Sequence, residues 1–267
     1  MTFDLEACRF ELAARRVIQF PPGMAGNVLR GALGKGLRKV ASAEDYASIF
    51  QPGAAGVGPS GLAQWPRPFA LRCATLHGRV FAAGERFCFG IHLFHMRDSA
   101  LDLVAHAFAQ WADLISMEHE PVTVDLGPRT DPVPRIRVEF QTPTELKANG
   151  QYATGEFSVL LARARDRVST LRGLYGDGPL EIDFRGLSDR AELVTMARSE
   201  LRQVRVERSS RRTGQRHTIG GLVGFAEYEG DLAEFLPYLE AASWTGVGRH
   251  CTWGNGQIAT TILNSES

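Results

Sequence analysis

The spacing of apolar positions divides the chain into two series of elements with the same order. Residues 3–12 read as a strand that runs into FPPG. From Met24 to Ala41 the apolar residues Val28, Leu29, Leu33, Leu37 and Val40 fall on one helical face. Residues 51–68, rich in Gly, Pro and Ala, read as a loop. Strands follow at 69–76 and 87–95, joined by a turn at Ala83-Gly84-Glu85, then a helix over 99–116 and a short strand at 122–126. A proline-rich linker, 127–134, separates this β-α-β-β-α-β series from a second one. There, a strand at 135–141 precedes helical stretches at about 155–174 and 187–199. Strands near 201–208 and 218–228, a helix near 230–241 and a last strand near 256–263 complete it. The expectation is an α+β chain of two tandem ferredoxin-like (RRM-like) βαββαβ domains, residues 1–130 and 135–267. The second carries a helical, arginine-rich insertion at about 155–200 and a C-terminal glycine-rich loop.

Composition narrows the class. At 267 residues and 44% hydrophobic the chain has enough apolar matter for a large core. No apolar run reaches the ~20 residues that span a bilayer. The start, MTFDLEACRFELAARR, lacks a basic segment followed by an apolar one, so a cytoplasmic, membrane-free protein is expected. Cys8, Cys73, Cys88 and Cys251 show no CxxC spacing and read as reduced, buried thiols.

Charge changes the picture more. The net charge is zero, yet the only lysines are Lys35, Lys39 and Lys147, so the cations are almost all arginine. Guanidinium makes the planar, bidentate contact that phosphate favours. The charge is also segregated: from Arg198 to His217, seven arginines face only Glu200 and Glu207. Local positive charge of this kind suits a polyanion partner despite a neutral whole. Within and near the run, Arg202, Arg208, Arg211, Arg212, Arg216 and His217 are candidate RNA contacts.

Two further stretches carry candidate chemistry. WTGVGRHCTWGNGQI, residues 244–258, packs glycines at 246, 248, 254 and 256. They let backbone approach a ligand and turn N–H groups toward an anion. A dinucleotide fingerprint is excluded, because Cys251 stands where the third glycine belongs and no helix and acidic partner follow. Two readings remain: a purely structural turn, or a loop in which Gly248, Arg249 and His250 press against an RNA backbone. Trp244 and Trp253 either stack bases or anchor the loop in the core. The helix from Met24 to Ala41 offers Arg30, Lys35, Arg38 and Lys39, which equally suit a helix C-terminal dipole. His92 and His95, three apart on a strand, face opposite ways, so no metal site is expected, and no cofactor either. His77, His106 and His119 read as structural or solvated.

Taken together, PPGMAGNVLRGALGKGLRKV, YASIFQPG, FALRCATL, AAGERFCFGIHLF, FQTPTELKANG, LRGLYGDG, RSSRRTGQRHTIGGLVG, EGDLAEFLPYLEAA and GVGRHCTWGNGQI resemble, in order and spacing, the CRISPR repeat-RNA-processing endoribonucleases of the RAMP superfamily. The last matches the superfamily's glycine-rich signature. The resemblance implies metal-independent cleavage of repeat RNA at the base of a hairpin by 2′-hydroxyl attack. It also implies retention of the mature guide RNA and assembly with subunits of a CRISPR effector complex. The arginine-laden helical region of the second half, with Arg163 and Arg167, resembles the helical finger of the type IV branch. One departure stands out. Many members carry a catalytic histidine in or just after the first helix, whereas no histidine precedes His77 here. The matching segment offers Arg30, Lys35, Arg38 and Tyr46, so an arginine-centred site is expected: Arg38, Arg30 and Tyr46 from the first helix and its sequel, with Arg249 or His250 opposite. The alternative is a non-catalytic RAMP subunit that only binds guide RNA.

Overall fold

The computed structural model describes residues 1–53, 65–94, 98–148, 150–209 and 216–263; for 98–99, 206–209 and 216–219 it describes the backbone alone. In chain order the elements are β1 (Thr2–Ala13), β2 (Ile18–Gln19), α1 (Ala25–Val40), α2 (Ala43–Phe50), β3 (Phe69–Arg72), β4 (Val80–Phe81), β5 (Arg86–Leu93), α3 (Asp98–Ala109), β6 (Asp113–Asp125), β7 (Arg135–Thr144), β8 (Lys147–Ala148), β9 (Gln151–Tyr152), α4 (Phe157–Tyr175), α5 (Phe184–Ala191), β10 (Thr195–Ser209), β11 (Arg216–Glu229), α6 (Leu236–Thr245) and β12 (Ile258–Ile262).

Two four-stranded antiparallel sheets organise the chain, in the orders β3-β5-β1-β6 and β10-β11-β7-β12. Counting the main strands of each series one to four, both orders read two-three-one-four, the ferredoxin-like arrangement. The chain is thus a tandem of ferredoxin-like folds. In the first, Phe10, Leu12, Phe89 and Ile91 share one core with Leu29, Leu33 and Leu37 of α1 and Val104 and Phe108 of α3. In the second, α4 and α6 bury Leu160, Leu161, Val168, Leu239 and Ala242 with Val138, Phe140, Ala226 and Tyr228 of the sheet. Phe3, Leu5, Ala70, Phe94 and Val124, on the other face of the first sheet, belong to that second core. The two halves are therefore joined by buried apolar surface.

Several expectations change. The helix read over 99–116 ends at Ala109, because β6 begins at Asp113 and pairs with β1 from end to end apart from a bulge at Ile115; the apolar Leu114 and Ile115 are exposed strand residues. The helix read over 187–199 is α5, finished by Ala191, and β10 has started by Thr195. The helix near 230–241 starts late, at Leu236, behind a single 3₁₀ turn. Helix α2, capped by the Ser42 hydroxyl on Asp45 N–H, was not anticipated. The helices read as a finger lie in the core. Arg165 of α4 is buried, donating to Phe184 O and Ser188 Oγ, and Leu187 and Ala191 of α5 are buried too. What extends instead is a ribbon: β11 is in register with β7 only from Leu222 onward, and before it, from Arg216 to Gly221, β11 is paired with β10 alone.

Candidate active site where the first helix meets the glycine loop

Helix α6 ends where Gly246 takes φ 76°, and the chain then doubles back as a loop to Gln257. Val247 N–H donates to Gly256 O at 2.8 Å, closing the loop on itself. Its return leg is laced to the end of β7: Gly256 N–H donates to Pro143 O at 3.1 Å, and Gln257 N–H to Thr142 Oγ1 at 2.9 Å. The buried Gln257 amide donates to Leu71 O of β3 at 3.1 Å, so one side chain ties the second half's loop to the first half's sheet. Gly248 (φ 76°) has its Cα where a Cβ would overlap Glu145 O, and only glycine suits both demands.

The same close approach decides how α1 meets the loop. At Gly26 a Cβ would occupy the place of the Trp253 carbonyl, so helix and loop touch backbone to backbone. The helix start is capped from a third direction: His77 Nδ1 accepts Ala25 N–H at 3.3 Å. This requires the unprotonated nitrogen, and burial pushes the His77 pKa down, in the same sense.

From this contact a ladder of cations and rings runs along the junction. His250 stacks on Trp253 with ring centroids 4.6 Å apart and planes 10° from parallel. The Arg30 guanidinium lies 5.5 Å from the Trp253 ring centre and 5.1 Å from that of Phe50. Arg67 covers Phe50 at 5.2 Å, and burial lowers its pKa from the usual arginine value. Phe50 meets Tyr46 at 5.6 Å, and Arg38 both covers the Tyr46 ring at 5.4 Å and donates from Nε to its hydroxyl at 3.1 Å. Each cation–ring contact contributes about 0.5–2 kcal/mol, and together they hold the guanidinium planes in fixed places.

Beneath the loop lies a buried carboxylate. Glu145 follows β7 directly and its side chain is only 3% exposed. Its oxygens stand 3.3 Å from Arg249 Nη1, 3.3 Å from Lys147 Nζ and 3.6 Å from His250 Nε2. His250 is the one described non-glycine residue with positive φ, 66°. The 3.6 Å approach to Glu145, the ring stack and this backbone conformation set the direction of its side chain.

Arg30, Trp253, Gly248, Arg249 and His250 thus come together. Arg38 and Tyr46 pair at the far end of the ladder: Arg38 is eight residues beyond Arg30, about 12 Å along the helix axis. Lys35 and Lys39 are exposed on α1. Arg163 is exposed and donates to Lys147 O at 3.1 Å. Arg167 is turned inward, its Nε donating to Thr245 O at 3.0 Å at the end of α6. Arg202 is exposed at the root of the ribbon. Further along it the register sets Arg208 opposite His217 and Ser209 opposite Arg216. Arg211 and Arg212, like His95, lie outside the described residues. Among the described residues no group of His, Cys, Asp and Glu is arranged to hold a metal. Nor is any described helix long and apolar enough to cross a membrane.

Residues 138–258, which contain Glu145 and the whole glycine loop, match the model of the family described as CRISPR-associated endoribonuclease Cas6. The second half of the chain thus carries the Cas6 family pattern. A second model, of an N-terminal domain, matches residues 3–120. No curated protein matches the chain significantly. Among solved structures, a Cas6 in its product complex is similar at 20% identity and TM-score 0.60, over 97% of this chain and 99% of that one. A Thermus thermophilus Cas6 is similar at 15% identity and TM-score 0.64, over 98% and 99%. The Cas6-containing chain of a partial Cas6-RT-Cas1–Cas2 complex is similar at 12% identity and TM-score 0.63, over 99% of this chain and 47% of that one. At these identities the likeness carries the fold, a Cas6 fold from end to end.

Sequence reasoning missed Phe50, Arg67 and Glu145 of this site, while His77, read as structural or solvated, does act structurally by capping α1. Phe50 and Arg67 sit at opposite ends of the loop read at 51–68, and nothing in their local pattern signals a contact. Glu145 carried one usable sign: it is acidic and sits between a strand and the cationic Lys147.

Proposed function

We propose that this protein is a Cas6 endoribonuclease that matures CRISPR RNA by cutting precursor repeat RNA at the base of a hairpin and keeps hold of the mature guide. The observation that carries the proposal is the meeting of α1 with the glycine loop, which gathers Arg30, Trp253 and His250, with Arg249 adjacent to His250 in the chain and held on Glu145. Phosphodiester cleavage by the neighbouring 2′-hydroxyl needs two things: stabilisation of charge on the phosphorane and movement of two protons. Arg30 and Arg249 supply donors to the non-bridging oxygens, where one preorganised donor typically contributes about 3 kcal/mol. Arginine is a poor base because its pKa exceeds ~12, so His250 takes the proton from the 2′-hydroxyl and then gives a proton to the departing 5′-oxygen. The 2′-oxygen bonds to phosphorus as the bond to the 5′-oxygen breaks. One strand keeps a 2′,3′-cyclic phosphate and the other leaves with a 5′-hydroxyl. No metal takes part in this scheme.

Around this centre, Arg38 with Tyr46, Lys35 and Lys39 on α1, and the arginines of the β10–β11 ribbon, extend the cationic surface to flanking phosphates. Solved Cas6 proteins include a product complex, a substrate-mimic complex and a Cas6-RT-Cas1–Cas2 assembly. By analogy this chain retains its product and works in the cytoplasm beside other CRISPR subunits. The test is incubation with cognate repeat RNA in EDTA. Cleavage at the hairpin base with a cyclic-phosphate end is expected. Intact RNA in a stable complex, or cutting that needs a divalent ion, overturns the scheme.

A further inference from the structure

We infer that Glu145 is a positioning residue for cleavage: its buried carboxylate orients Arg249 and His250 in the RNA-cleaving site without touching RNA. The inference rests on the proposed function and adds to it a residue outside the glycine loop and the first helix.

Burying a carboxylate costs several kcal/mol unless it is paired. Glu145 is paired with Arg249, Lys147 and His250, all within 3.6 Å, and its side chain is 3% exposed, while that of Arg249 is 63% exposed. The carboxylate is therefore the fixed end of the pair, and the guanidinium is the end that reaches solvent and phosphate. The backbone of Glu145 serves the same purpose. Its carbonyl lies where a Cβ on Gly248 would be, and the residues just before it are hydrogen-bonded to the loop's return leg through Thr142 and Pro143. Main chain and side chain of one residue thus grip both ends of the Gly248–His250 segment. A negative charge beside an RNA site weakens attraction for phosphate, so a bystander here would be a net cost to binding. Orientation of a proton-moving histidine by a buried carboxylate is the compensating gain: Glu145 faces Nε2 at 3.6 Å, which leaves Nδ1 to move the proton.

The competing roles predict effects of different sign. In Glu145→Gln, side-chain volume is kept and one negative charge is lost. A positioning role predicts a single-turnover cleavage rate at least ~10-fold lower, with unchanged or tighter Kd for a repeat RNA carrying a 2′-deoxy substitution at the cut site. A purely structural role lowers rate and affinity together, and a purely electrostatic one raises both; either result overturns the inference. Glu145→Asp, which keeps the charge on a shorter arm, should recover part of the rate. In a His250→Ala background, Glu145→Gln should cost little further rate, because the two act through one group. Independent, multiplying losses would remove the link to His250. If the wild-type protein leaves the unmodified RNA intact, the functional proposal itself fails. If wild type cuts and Glu145→Gln cuts equally fast, only the positioning role fails.

Discussion

At the scale of single residues, the site is built from groups with two partners each. Arg30 lies between the rings of Phe50 and Trp253, one from each half of the chain. Replacing it by alanine should remove a phosphorane donor and a junction contact at once. Cleavage is expected to fall by roughly 10²-fold, with a smaller loss of thermal stability; cleavage at the wild-type rate would remove Arg30 from the site. Arg38→Ala, at the exposed end of the ladder, should mainly weaken RNA binding. His92 contributes to the pH response. Burial first, then the nearby Arg72 cation, push its pKa down to about 3, and its Nδ1 sits 2.8 Å from Trp244 O. The unfolded chain therefore takes up a proton that the folded chain refuses. Stability from this group is whole above about pH 6.5 and is lost toward pH 3 at roughly 1.4 kcal/mol per pH unit. Burial moves His77 in the same direction. Denaturant titrations at pH 7 and pH 5 should show this loss in wild type and a shallower one in His92→Gln.

At the scale of elements, α1 shows how identical residues differ by what faces them. Glycine inside a helix usually costs about 1 kcal/mol relative to alanine. A methyl group on Gly31 would meet nothing within 4 Å, so Gly31→Ala should stabilise the protein by about that amount. Gly26 faces the Trp253 carbonyl, and Gly26→Ala should destabilise it and separate the helix from the loop. Opposite shifts in melting temperature for the two variants are the expected outcome. The β10–β11 ribbon is the element in which charge outweighs packing. Arg202→Ala with Arg205→Ala, both exposed, should weaken RNA binding and flatten the dependence of log K on log salt by up to ~2 in slope. An unchanged slope would take the root of the ribbon out of the RNA footprint.

At the scale of the whole molecule, the two halves are locked at the C-terminal end of α6. Arg72 of β3 donates from Nη2 to Ser243 O and, at 2.7 Å, to Trp244 O, while Arg167 of α4 donates to Thr245 O. Two cations thus cap the negative end of one helix, one from each half. Burial lowers the Arg72 pKa to about 10, so it stays charged at neutral pH. Arg72→Ala leaves those carbonyls short of a donor and should cost roughly 2–3 kcal/mol. It should also lower cleavage, because the lock sits beside the glycine loop. Full activity with unchanged stability would show that the halves are held elsewhere.

Local pattern determined much of this protein. Alternation and helical spacing are short-range properties, so the doubled βαββαβ order, α1, α4 and the β10–β11 pair were legible, as were the arginine density and the glycine loop. Ends of elements were less so. Leu114 and Ile115 continue an apolar run that suits a helix, and only the pairing of Leu114 and Ser116 with β1, on either side of a bulge at Ile115, makes them strand. Tertiary structure alone decided the rest. It put Gly26 against Trp253, set Arg30 between two rings and drew Arg167 into a helix cap. It buried Glu145 under Arg249 and His250, 104 residues away from the nearer of them. Such choices depend on which surfaces close in space across long stretches of chain, and a charged residue in sequence carries no mark of whether it will face phosphate or a buried partner.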